Sequence, residues 1–101
     1  MDYKTTIPEK LANALPPFAK IEKLINDVDK IASTIPNTRD AYILYNRMVY
    51  ACKIIKRYKA LYATKLTLYP TDKKNMASIK SLELKIASSR KILYGRYKKS
   101  Q

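Results

Sequence analysis

The sequence predicts an all-α protein, and three observations carry that expectation. Apolar residues recur at alternating steps of three and four along most of the chain. No segment alternates apolar and polar residues as a half-buried strand does. Prolines fall between the periodic stretches, not inside them. The pattern gives three main helices, at about 17–35, 38–69 and 72–97, behind a proline-interrupted N-terminal arm. It divides the chain into an arm (1–16), one helical domain (17–97) and a basic tail (98–101), with an elongated, self-associating shape.

The arm carries Pro8, which suits a first helical position, and Pro16-Pro17, which interrupts any helix begun there. It either frays or orders on a partner. In the first helix Phe18, Ile21, Ile25, Val28, Ala32 and Ile35 form a coiled-coil-like seam, with Leu24 and Ile31 beside it. The opposite face mixes Lys20, Glu22, Lys23, Asp27, Asp29 and Lys30. This neutral amphipathic helix is expected to pack on the long one, in cis or in trans. Pro36 ends it, Asn37 or Thr38 caps the next, and the short link makes the two helices antiparallel.

The long helix holds Leu44, Met48, Ala51, Ile55, Tyr58, Tyr62, Leu66 and Tyr69 in one narrow row. Ala41, Tyr45 and Cys52 widen the row on one side; Ile43, Tyr50, Ile54 and Leu61 widen it on the other. Such girth asks for more than one helical neighbour. A helix of about 32 residues measures about 48 Å, against a radius of gyration of about 13 Å for an ordinary 100-residue domain. Either it breaks near Ala60–Thr67, or the molecule is elongated and covers itself with copies; the girth favours the second. Pro70 is read as its stop, with Thr71 or Asp72 capping the last helix, whose apolar row is Ile79, Leu82, Ile86, Leu93 and Tyr97. The self-association surface is expected at Phe18, Ile21, Ile25, Val28, Leu44, Met48, Ile55 and Tyr58.

Charge is the loudest signal. Lys plus Arg number 21 against 8 acids, a net +13. Residues 1–37 are neutral, 38–70 carry +6 and 71–101 carry +7, so the surplus belongs to the last two helices. A surplus of this size repels itself until a polyanion neutralises it. Nucleic acid is the commonest such partner and an anionic membrane surface the second. No run is long and apolar enough to span a membrane, and Met1–Leu15 lacks the apolar core of a signal peptide. The expected setting is intracellular or a virion.

Nothing in the chain suits catalysis. Histidine is absent, the single Cys52 lies on an apolar helix side, and the acids are scattered. One glycine cannot build a phosphate-cradling loop, and no ligand set for a metal exists. The expectation is a non-enzyme with no catalytic residues, no metal and no cofactor.

Basic rows remain. Lys73, Lys80, Lys91 and Lys98 are spaced at seven, eleven and seven, near whole helical turns, and so line one edge of the last helix. Lys74, Lys85, Arg96 and Lys99 make a looser second row; Arg39, Lys53, Lys56 and Arg57 belong to the long helix. The expected nucleic-acid-binding residues are Arg39, Lys53, Lys56, Arg57, Lys73, Lys80, Lys91, Arg96, Lys98 and Lys99. A solvated face normally mixes both signs; these faces lack acids. Lysine outnumbers arginine, which favours neutralising phosphates over reading bases. Tyrosine is the second unusual feature, with nine copies and no Trp. Core packing is its default; Tyr42, on the basic strip, suits a phosphate or an unpaired base. Stacking is the lesser expectation, because the chain has no sheet to serve as a platform.

The interrupted arm (Ile7-Pro8, Pro16-Pro17), the proline-bounded helices and the lysine rows resemble the small, basic, all-helical coat proteins of filamentous archaeal viruses. The resemblance implies helical subunits that wrap and condense double-stranded DNA along a filament. A second, looser likeness is to small four-helix accessory proteins that oligomerise into basic barrels and bind RNA or a reverse transcriptase. The expected function is therefore a sequence-tolerant nucleic-acid-binding protein that coats or packages double-stranded DNA, a virion nucleoprotein being the specific case. Double-stranded DNA is favoured over RNA, with a homo- or hetero-oligomeric state and no membrane partner. The alternatives are a helical adaptor or accessory subunit of a ribonucleoprotein or other multi-protein assembly, and a membrane-surface helical protein.

Overall fold

The computed structural model describes residues 15–101. They form three helices, α1 (Phe18–Ala32), α2 (Ala41–Thr64) and α3 (Pro70–Lys99). The molecule is all-α and elongated, 51 × 29 × 16 Å. Most of the arm expected over 1–16 lies outside the described residues. Its last two do not: Leu15 is buried against the core, and the Pro16 carbonyl accepts a hydrogen bond from the Tyr58 hydroxyl.

Helix α1 starts at Pro17, whose carbonyl accepts the first helical bonds from Lys20 and Ile21. It stops at Ala32, three residues before the expected end. Ser33 and Thr34 turn their hydroxyls back onto the carbonyls of Lys30 and Ile31, which offers those groups a partner outside the helical ladder. Thr38 accepts the Asp40 N–H at 3.2 Å and leads the chain into α2.

The long helix is shorter than expected. It ends at Thr64, and Lys65 is extended (ψ 127°). The Thr64 hydroxyl bonds to the Ala60 and Leu61 carbonyls, in competition with the last turn. Pro70 then acts as a start, not a stop. It is the first residue of α3, where a missing N–H costs nothing, and it holds Tyr69 extended (ψ 164°). Asp72 reaches back to accept the Tyr69 N–H at 2.9 Å and pairs with the Lys65 ammonium at 2.7 Å. Residues 65–69 thus form an elbow pinned by one carboxylate. Leu66 and Tyr69, expected in the apolar row, are exposed there. At the far end α3 runs on through Lys98 and Lys99, so the expected basic tail is helical.

Cross-helix pairs fix the packing. Tyr62 meets Asn75, Lys59 meets Glu83, Tyr45 meets Arg90 and Tyr42 meets Tyr97, so α2 and α3 run antiparallel in the largest interface. Helix α1 lies across both, not on α2 alone. Its Phe18 ring meets Tyr58 edge-on at 5.2 Å. Its polar bonds go to α3: Lys85 donates to Asn26 and Ser89 to Asp29, each at 2.7 Å. The second bond is why α3 can bury a serine completely.

The core draws on Ile21, Ile25, Val28, Met48, Ala51, Ile55, Ile79, Leu82, Ile86 and Leu93. This corrects the expected self-association surface. Phe18, Ile21, Ile25, Val28, Met48, Ile55 and Tyr58 are buried inside their own chain, and Leu44 is half-buried against the same core. A heptad-like seam reports that a helix needs a partner, not whether the partner is in cis. Here residues 33–40 fold α1 back and the partner is internal.

Ile25→Ala is expected to cost about 2–5 kcal/mol in chemical denaturation, as a core deletion does, with no dependence on protein concentration. Leu66→Ala should change stability by less than about 0.5 kcal/mol. A second expectation concerns the elbow. The Lys65 hydrogen bond, and then the Tyr69 N–H, hold the Asp72 carboxyl below its ordinary range. Its stabilisation is therefore present above the unfolded carboxylate pKa and lost as pH falls through the folded value. Asp72→Ala should melt below the native protein at pH 7, and the gap should narrow as pH drops below about 4.

Candidate functional site

The site is built on the α2–α3 hairpin, on the side that α1 leaves open. Residues 100° apart on a helix divide its surface simply. On α3, Lys85 and Ser89 point to α1, while Glu83, Arg90 and Tyr94 point to the outer seam with α2. Lys73, Lys80, Lys91 and Lys98 follow on that outer side, and all four are exposed. On α2, Lys56 leans toward the same seam and Lys53 points straight out. Unbroken helicity from Pro70 to Lys99 keeps the α3 row continuous, about 37 Å from Lys73 to Lys98 at about 1.5 Å per residue.

The electrostatics of this face follow from where the acids went. Asp40 sits at the start of α2 and Asp72 is spent on the elbow. Glu83 lies 3.6 Å from Lys59, both partly exposed. The acids of α1 lie on a different helix, with Asp29 taken by Ser89. Among the described residues, Lys59 and Lys65 are therefore the bases that have an acidic partner within 4 Å. Lys53, Lys56, Lys73, Lys80, Lys91 and Lys98 have none there.

Not every expected residue joins them. Arg57 leans to the α1 side of α2, 100° from Lys56. Arg39 lies in the turn before α2. Arg96 and Lys99 belong to the α1 side of α3, and Arg96 is half-buried. The looser second row is broken, because Lys85 is drawn into the α1–α3 interface.

The structure also joins Tyr42, already expected to suit a phosphate or an unpaired base, to three tyrosines that the sequence does not link to it. Tyr42 and Tyr45 at the start of α2 meet Tyr94 and Tyr97 at the end of α3. Ring centroids are 5.9 Å apart for Tyr42–Tyr45, 4.7 Å for Tyr42–Tyr97, 5.7 Å for Tyr45–Tyr94 and 6.5 Å for Tyr94–Tyr97. The four close into a circuit. Cations border it: the Arg90 guanidinium lies 5.5 Å from the Tyr45 centroid, and the Lys98 ammonium 5.6 Å from that of Tyr94. The Arg90 side chain also donates to the Tyr45 hydroxyl at 3.5 Å, and this contact raises its pKa further. An open cleft of about 400 Å³ lies beside the circuit, lined by Tyr45, Ala87, Arg90, Lys91 and Tyr94. The signal was available: both tyrosine pairs have i, i+3 spacing, at opposite ends of antiparallel helices. Cys52 is half-buried and unbonded to any other cysteine.

No cluster of three or more metal-ligating residues occurs among the described residues, and no described helix is long and apolar enough to cross a membrane. Comparison with family models, curated proteins and solved structures finds no match for this chain.

The two kinds of lysine separate by experiment. Lys85→Met removes an interhelical hydrogen bond and should cost about 1 kcal/mol in urea denaturation. Lys91→Met, on the open face, should stay within about 0.5 kcal/mol of the native protein.

Proposed function

We propose that this protein is a non-enzymatic, sequence-tolerant nucleic-acid-binding protein that coats or packages double-stranded DNA, in a virion or inside a cell. One observation carries it: an acid-poor face of exposed lysines extends along α3 for about 37 Å, close to the pitch of duplex DNA, about 34 Å. Lys73, Lys80, Lys91 and Lys98, with Lys53 and Lys56 beside them, neutralise phosphates along the backbone. Lysine is a point charge without the planar fork that reads guanine edges, so the contact is indifferent to sequence.

Coating also requires neighbouring subunits to touch. Of the residues expected to do so, all but the half-buried Leu44 are inside the core. Among the described residues, the exposed hydrophobes outside the tyrosine circuit, left for contact between copies, are Ile31, Ile43, Tyr50, Leu66, Tyr69, Met76 and Leu84.

The mechanism predicts counterion release. Affinity for a duplex of mixed sequence should fall steeply with salt, with a log–log slope of about −0.9 per phosphate neutralised. Lys80→Glu with Lys91→Glu should weaken binding alike for AT-rich and GC-rich duplexes and flatten the slope by about 2. Fluorescence anisotropy across a salt series measures both. Salt-independent binding, or no binding to duplex at low salt, contradicts the proposal. Isolation with a stoichiometric protein partner, without binding to DNA, favours an accessory-subunit role.

A further inference from the structure

We propose that the four-tyrosine circuit at the α2–α3 end is a separate subsite for single-stranded nucleic acid, which takes an unpaired base on a tyrosine face and its flanking phosphates on Arg90, Lys91 and Lys98. The proposal rests on polyanion binding by the outer face and adds a preference among nucleic acids to it.

Burial differs around the circuit. Tyr45 and Tyr97 are the inner corners, and Tyr97 is further held by a hydrogen bond from Gln101 at 2.7 Å. Tyr42 and Tyr94, at opposite corners, keep 43% and 44% of their surface exposed. The two inner rings hold the outer two in place, so the area they leave in water is fixed and borders the cations. Base–aromatic stacking needs such a fixed, open face. The cations set the class of ligand. A second copy of this chain docked through the same face would bring Arg90, Lys91 and Lys98 against their equivalents, with no unpaired acid among the described residues of that face to offset them. A nucleotide brings a neutral base for the ring and a negative phosphate for the cations. Lys98 now covers the Tyr94 face at 5.6 Å. An arriving base takes that face, and the ammonium moves onto the adjoining phosphate. Intact duplex hides its base faces, so only unpaired nucleotides use the subsite.

The test compares the full chain and its variants on a thymidine oligonucleotide and on a duplex, with thymidine monophosphate as competitor. Tyr42→Leu with Tyr94→Leu keeps apolar bulk and removes the π faces. Single-strand affinity should fall by about tenfold or more, while duplex affinity stays within about twofold. Tyr42→Phe with Tyr94→Phe should restore single-strand binding, and circular-dichroism melting confirms that each variant folds. An unchanged single-strand affinity in the Leu variant overturns the subsite. So does an equal loss on both substrates, or full displacement by the mononucleotide at matched nucleotide concentration. Native protein that binds single strands and ignores duplex upholds the subsite and overturns the duplex-coating proposal alone.

Discussion

The α2–α3 hairpin must hold together against its own charge. Lysines seven residues apart on one helix edge are about 10 Å apart, and two ammonium groups at that distance repel by about 0.4 kcal/mol in water before screening. Each repulsion is small beside the burial of one large aliphatic side chain, worth about 1.5–3 kcal/mol. The core of Ile25, Met48, Ile55 and Leu93 therefore wins, and the charge can be left on the surface. The acids are not positioned to relieve it. Asp72 serves the elbow, Glu83 pairs with Lys59, and Asp29 is tied to Ser89.

That constraint explains the division of labour among the helices. Helix α1 is the neutral one and closes the core. It covers one side of the hairpin, and its Asn26 takes Lys85, which leaves the other side basic. The elbow at 65–69 sets how α3 returns along α2, and its single carboxylate fixes both the helix start and the Lys65 ammonium. The return brings tyrosines from the first turns of α2 beside those from the last turns of α3. Phe18, Tyr58 and Pro16 pin the opposite end. Burial, and secondarily Tyr62, push the Tyr58 hydroxyl's pKa up, so this latch is intact at neutral pH and lost only as alkali ionises the phenol.

Much of this was legible in the sequence. Period and proline placement imply three helices, and the row Ile79–Leu82–Ile86–Leu93 is core as expected, while Met48, Ile55 and Tyr58, apolar as expected, are buried within the chain and not between copies. The elbow was misread because a proline looks the same whether it ends a helix or begins one; the partner that decides is Asp72, three residues after Tyr69. The α1 seam was assigned to contacts between copies because an amphipathic pattern does not say which molecule supplies the other half. The i, i+3 spacing of each tyrosine pair is in the sequence, but that the two pairs meet depends on the register between two helices, which no single-helix pattern contains. The exposed lysines were legible because exposure follows from period, whereas the loss of Lys85 to Asn26 required the position of α1.

Lysine footprinting on the full chain tests the central claim most directly. Acetylation of each lysine, read by mass spectrometry with and without duplex DNA at low salt, maps the bound face. The α2–α3 face as the nucleic-acid surface predicts protection of Lys56, Lys73, Lys80 and Lys91, with Lys20, Lys23 and Lys30 of α1 modified as freely as before. Protection confined to the α1 lysines, or no protection anywhere under conditions where DNA is bound, contradicts it.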